Sequence, residues 1–196
     1  MLILHALAVR KSGTPAQIAA ATGLSEEDVR AGLHAATAMQ EVNGARDIFI
    51  LMPSGRARLD DLYPEVYAEV RADADFVAAA DRFEAVNRKL LDLLTRWQSV
   101  PQAGTTVPND HSDAAYDTAI LDELGDLHER AEPILDAFAA AVPRMKAYAD
   151  RLAGAYDRAL AGETDYVSGV RVDSFHTVWH ELHEDLLRVL GRTRQE

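Results

Sequence analysis

The sequence predicts a mainly α-helical protein in two parts. Residues 1–62 combine short helices with a two-stranded hairpin, and residues 63–196 form an acidic antiparallel bundle of four long helices. Three observations carry this. Apolar residues recur at three- and four-residue spacing along most of the chain, as in Val29, Leu33, Ala36 and Met39. One short β-type run, Ile48-Phe49-Ile50-Leu51, follows an Asn43-Gly44 pair, a strong hairpin signal. Charge is uneven: residues 1–62 hold six Lys+Arg against seven Asp+Glu, a net of −1, whereas residues 63–196 hold 14 against 25, a net of −11.

The elements follow in order. Leu2, Ile3, Leu4, Ala6, Leu7 and Val9 make a first helix, which Ser12-Gly13 stop. Thr14 is a natural N-cap, and Pro15 sits at the first helical position, where its missing N–H costs nothing. That second helix runs from Pro15 to Ala21 and turns at Gly23. Ser25 caps a third helix, Glu26 to about Gln40, with three acids in its first turn favoured by the helix dipole. Leu24 is placed to staple onto Val29. Two short helices joined by Gly-Leu-Ser make a helix-turn-helix. Asn43-Gly44 then turns a hairpin whose return strand is Ile48–Leu51, and Ser54 caps a helix with Ala57, Leu59 and Leu62 inward.

This order, with the joint ILMPSGRARLDDL, resembles the winged-helix domain of MarR- and PadR-type transcriptional regulators over about a third of the chain. Their joint is commonly an apolar strand followed by Thr/Ser-Pro-x-Gly-Arg; here Pro53 precedes Ser54. The resemblance implies DNA binding by a homodimer, with the third helix as recognition helix and the hairpin as wing. Its outward residues are then Arg30, His34 and Thr37, with Arg46 at the hairpin tip and Arg56 beyond it. Glu26 and Glu27 stand at the end that enters the groove, where they repel phosphate. The alternative use of such a domain is to grip a partner protein.

In the second part, Phe76, Val77, Ala80, Phe83, Leu90, Leu94 and Trp97 mark one helix, and Val100–Asp113 reads as a loop. Ile120, Leu124, Leu127, Ile134, Leu135 and Phe138 mark the next helix, which Val142-Pro143 breaks. A third carries Met145, Tyr148, Leu152 and Tyr156 and ends near Gly162; the last runs from about Val172 to Leu190 and stops at Gly191. Ser112 or Asp113 caps the helix after the loop, which lacks the glycine and terminal Glu of a calcium loop.

The last helix, SFHTVWHELHEDLLRVLGR, carries His176, His180 and His183 along the edge of its apolar stripe. Spacings of four and three can ligate a metal, but HELHE is not HExxH, since position 184 is Glu, and one Asp173-x-x-His176 is not the paired motif of a di-iron bundle. The three imidazoles with Trp179 are therefore expected to line an effector pocket or to hydrogen-bond at a helix seam, with a metal-binding helical protein as the lesser alternative; no cofactor is expected. This half also resembles the C-terminal part of some actinobacterial proteins associated with regulators and with phosphoenolpyruvate-utilising enzymes, which implies an accessory role beside such an enzyme as an alternative.

Composition bounds the rest. Cysteine is absent, so disulfides, thiolate metal sites and cysteine nucleophiles are excluded. The start, MLILHALAVRKSG, is apolar then basic, the reverse of a signal peptide, and no apolar run approaches the ~20 residues that span a bilayer. No G-x-S-x-G, P-loop or G-x-G-x-x-G is present. The expectation is a cytoplasmic, non-enzymatic regulator that binds DNA, dimerises and senses a small molecule.

Overall fold

The computed structural model describes residues 1–102 and 104–193. The chain divides into two compact units: Met1–Ala74 with the segment that starts at Glu181, and Asp75–His180. Residues 1–62 lie wholly within the first unit, and the helix that contains residue 62 continues through it.

The first unit contains α1 (Leu2–Arg10), β1 (Ser12–Gly13), α2 (Pro15–Thr22), α3 (Glu26–Ala38), β2 (Val42–Ala45), β3 (Ile48–Leu51), α4 (Pro53–Val66) and α5 (Ala68–Ala72). Thr14 caps α2 in a full capping box with Gln17, and Ser25 caps α3 through the Asp28 N–H. The three strands form an antiparallel sheet in the order β1-β3-β2. The third strand was not expected: Ser12-Gly13, read only as a helix stop, pairs with Ile50 and Phe49.

The hairpin turn also differs from expectation. Asn43 and Gly44 lie within β2, paired with Ile50 and Phe49. The turn is Arg46-Asp47, both with positive φ (51° and 63°), the sign pattern of a type I′ turn. Gly44 is glycine because of packing: a Cβ there would sit 2.5 Å from the Phe49 ring. Ser54 does not cap α4. Met52 holds the N-cap position, Pro53 is the first helical residue, and the Ser54 hydroxyl donates to the Gln40 carbonyl at 2.6 Å.

The core of this unit is Leu4, Leu7, Ile18, Val29, Leu33, Val42, Leu59 and Tyr63, all buried. α1 is buried from Leu4 to Val9 because it has neighbours on two sides, and this explains an apolar sequence with almost no polar face. One side meets α2, α4 and β3; the other meets the C-terminal half of α10 (Phe175–Leu190). There His5 Nδ1 lies 2.9 Å from the Tyr63 hydroxyl and His5 Nε2 2.9 Å from Asp185 Oδ1, all three groups buried. A neutral ring satisfies both by donating from Nε2 and accepting at Nδ1. Arg10 pairs with the buried Glu181 at 2.8 Å, and Arg188 donates to the Ala8 carbonyl. Arg71 donates to the carbonyls of Val189 and Arg188 in the last turn of the helix, the second of which also accepts from the Gly191 N–H.

The second unit contains most of α6 (Ala74–Gln98), then β4 (Ser99–Gln102), β5 (Thr105–Pro108), α7 (Ala114–Ala141), a 3-10 turn at Pro143–Met145, α8 (Lys146–Leu160), α9 (Asp165–Ser168) and the first residues of α10. The segment expected as loop is thus a β-hairpin, with Val100 opposite Val107. Asp113 caps α7, accepting from Ala115 and Tyr116. The contacts set the helix directions. Phe76 near the start of α6 meets Phe138 near the end of α7, and Arg96 near the end of α6 meets Glu123 and Tyr116. These two helices are antiparallel. Tyr156 of α8 packs on His128 and against Gly125 of α7. Trp179 of α10 stacks on Phe83, and Phe175 meets His128 edge-on, so four helices share one aromatic-rich core. Among the described residues no helix is long and apolar enough to cross a membrane.

Candidate functional site

α3 turns Val29, Leu33 and Ala36 inward, which leaves Arg30, His34 and Thr37 exposed on its other side. Thr37 donates back to the Leu33 carbonyl at 2.8 Å. Arg30 reaches across to the hairpin turn. Its Nη1 and Nη2 donate to the two carboxylate oxygens of Asp47 at 3.0 and 3.2 Å, while Nε and Nη2 also donate to Glu26 at 3.1 and 2.8 Å. Asp47 first, then Glu26, hold the Arg30 pKa above its already high ordinary value. The outward face of α3 and the hairpin turn are therefore one surface, joined by a two-carboxylate clamp on a half-exposed arginine.

Arg46 stands next to that clamp, exposed, its left-handed backbone fixed by the turn. Arg56 is exposed on the first turns of α4, and Arg58 makes two bonds to the buried carboxylate of Glu41 at 2.8 and 2.9 Å. The five residues expected at a DNA surface are thus all exposed, and Arg30 already has acidic partners. Sequence reasoning did not single out Asp47, nor the outward face of the sheet. There Ile48 and Ile50 are 50% and 44% exposed while Phe49 and Leu51 are half-buried. The signal was present: in a strand, residues two apart share a face.

On α10, Trp179 is a core residue. It stacks between Phe83 (4.6 Å) and Phe175 (6.0 Å), and its indole N–H donates to the buried Asn87 side chain at 3.0 Å. His176 and His180 are half-buried and His183 is buried. Burial pushes the His176 imidazole below its ordinary pKa. His128 of α7 is pushed down for the same reason, against the opposing fields of Glu132, Asp157 and Glu129. Among the described residues no group of three or more His, Cys, Asp or Glu side chains is placed to hold a metal ion.

The loop before α7 holds a second built feature. His111 has φ 57°, its ring lies 4.5 Å from that of Trp97, and Nδ1 is 2.9 Å from Asp117. Asn109 ties the same carboxylate to the Trp97 carbonyl. The loop thereby anchors the β4–β5 hairpin to the first turn of α7.

The chain matches no protein-family model, no curated protein and no solved structure.

Proposed function

We propose that the first unit is a winged helix of the MarR/PadR type and that the protein is a DNA-binding transcriptional regulator, homodimeric, with its helical second unit serving assembly and effector binding. The observation that carries this reading is the single exposed surface of α3 and the hairpin turn, held together by Arg30 and Asp47 and bearing His34, Thr37 and Arg46. In the reading, α3 enters the major groove, the β2–β3 turn is the wing tip, and Arg46 and Arg56 contact phosphates. The Arg30–Asp47 and Arg30–Glu26 pairs are solvent-exposed. Such exposed pairs are weak and screened by salt, so a phosphate or a guanine edge exchanges for them readily.

The three acids Glu26, Glu27 and Asp28 open α3 and oppose non-specific attraction. Affinity in this reading comes from a dimer, which doubles the few cationic contacts. The test is fluorescence anisotropy with DNA from upstream of the protein's own gene, over a salt series. Arg46 and Arg56 from both protomers make about four phosphate contacts, which predict a loss of about 10² in affinity between 50 and 200 mM salt. Failure to bind that DNA and a genomic fragment pool, even at low salt, removes the reading.

A second reading has its own support. The acidic start of α3 and the outward Ile48 and Ile50 suit a protein partner, such as a component of a larger enzyme system, better than a polyanion. A pull-down partner whose binding persists at 0.5 M salt, with no DNA affinity, favours it.

A further inference from the structure

Of the three asparagines in the chain, Asn43 alone is followed by glycine. It lies on β2, an edge strand of the three-stranded sheet, and both Asn43 and Gly44 are exposed. The two-residue turn at Arg46-Asp47 makes Ala45 and Ile48 the hydrogen-bonded pair next to it. Bonded pairs then alternate, so Asn43 exchanges its backbone bonds with Ile50, and Gly44 points its N–H away from β3 to the open edge. Among the described residues neither that N–H nor the Asn43 carboxamide takes part in a hydrogen bond. The other two asparagines are held. Asn87 is buried in α6 and accepts the Trp179 indole N–H. The Asn109 amide donates to the Trp97 carbonyl and to Asp117, and its oxygen accepts from the His111 N–H. A tethered carboxamide cannot swing onto the next backbone nitrogen, whereas that of Asn43 can. Glycine at 44 leaves that nitrogen unshielded, and the Phe49 ring fixes this choice by filling the place of a Cβ.

We propose that Asn43 is a site of spontaneous deamidation on the exposed face of the hairpin. Solvent base removes the Gly44 amide proton, and the nitrogen attacks Asn43 Cγ. The bond from Cγ to the side-chain nitrogen breaks, and ammonia leaves with a proton from water. The product is a five-membered cyclic imide, whose closure is favoured because both reacting groups share one short tether. Water then opens the ring at either carbonyl. Opening at Cγ leaves aspartate; opening at the main-chain carbonyl leaves isoaspartate, with the chain rerouted through the side-chain carbons. Ring closure requires Asn43 to leave the extended backbone, so its pair with Ile50 must open first. On an edge strand of four residues that opening is local and breaks bonds on one side only. The product places a negative charge beside Ile50, on the same face of the sheet. Isoaspartate also adds a methylene to the main chain and so disturbs the alternation of β2. The site stands whatever this surface binds, since no step involves a partner.

The test is peptide mapping by mass spectrometry of the full folded chain, incubated at pH 6.5 and 8.5 in ¹⁸O water. The expected result is conversion at Asn43 to paired aspartate and isoaspartate peptides, each carrying the heavy oxygen, which dates the conversion to the incubation. It runs faster at the higher pH, because the nucleophile is the deprotonated amide, while Asn87 and Asn109 stay intact. Asn43→Gln, whose longer side chain would have to close a six-membered ring, loses the signal. An Asn43 that stays intact in the folded chain overturns the proposal, and the same chain in concentrated urea then shows whether the hairpin protects it. Conversion of Asn87 or Asn109 at an equal rate also overturns it, since the free carboxamide and the open-edge N–H would then confer nothing.

Discussion

His128 and His176 are both pushed below the ordinary imidazole pKa by burial. The sign of the consequence is fixed. Above about pH 6.5, the ordinary value, both are neutral in folded and unfolded chains and cost nothing. As pH falls through that value the unfolded chain takes up protons that the native imidazoles refuse, so stability declines toward their lowered pKa values. Urea midpoints at pH 7.5 and 5.5 should show this decline, and His128→Gln with His176→Gln should reduce it. An unchanged pH dependence in the double variant rejects burial as the cause. Gly55 on α4 makes a second residue-scale prediction. A Cβ there would lie 2.4 Å from the Glu41 carbonyl oxygen and 2.7 Å from Leu51. Gly55→Ala gains helix propensity worth about 1 kcal/mol. It nevertheless should lower the melting temperature, because forcing backbone apart costs about 1–3 kcal/mol. A variant as stable as the parent would show that α4 shifts freely.

At the scale of elements, α3 was readable in detail. Of its stripe Val29-Leu33-Ala36-Met39 the first three are buried and Ser25 caps it where the sequence placed the cap, but Met39 lies past the end of α3 as its C-cap and is 60% exposed. The hairpin was found but its turn was misplaced: Asn43-Gly44 is the stronger turn signal by composition, yet Gly44 is consumed by the Phe49 ring and Arg46-Asp47 take the left-handed turn. A local propensity lost to a packing contact on the facing strand. The β4–β5 hairpin was missed because SVPQ and TTVP carry proline and little alternation. The charge pattern of α3 gives its own prediction. If this surface meets DNA, Glu26→Gln with Glu27→Gln should tighten binding several-fold at low salt, and Arg46→Ala should weaken it and flatten the salt slope. Anisotropy titrations of the three proteins decide it; no change in any of them removes the surface as the interface.

At the scale of the molecule, the last helix belongs to two cores. Phe175, Val178 and Trp179 are buried in the second unit; beyond Glu181 the helix joins the first. There Asp185 is 0% exposed and bonded to His5, itself bonded to Tyr63. Removing one side of a buried hydrogen bond of this kind costs about 1–3 kcal/mol, because the group left behind has given up water for a contact it no longer has. Asp185→Ala should therefore unfold the first unit at much lower denaturant, and His5→Ala combined with it should cost less than the sum of the two. Strict additivity in that cycle would mean that the two side chains do not act as a pair.

The sequence by itself determined the helical character, the order of the helices and of the β2–β3 hairpin through α4, the caps at Thr14 and Ser25, and the acidic second half. Each is a property of neighbours within a few residues, where periodicity and side-chain chemistry act directly. Only the tertiary structure decided that Trp179 is bound to Asn87 and stacked into the core, that Arg30 is clamped by Asp47, and that His5 meets Asp185 across 180 positions. The histidines of α10 looked like a site because they share a helix edge. Their surroundings come from distant segments, and no spacing along one helix reveals what packs against it.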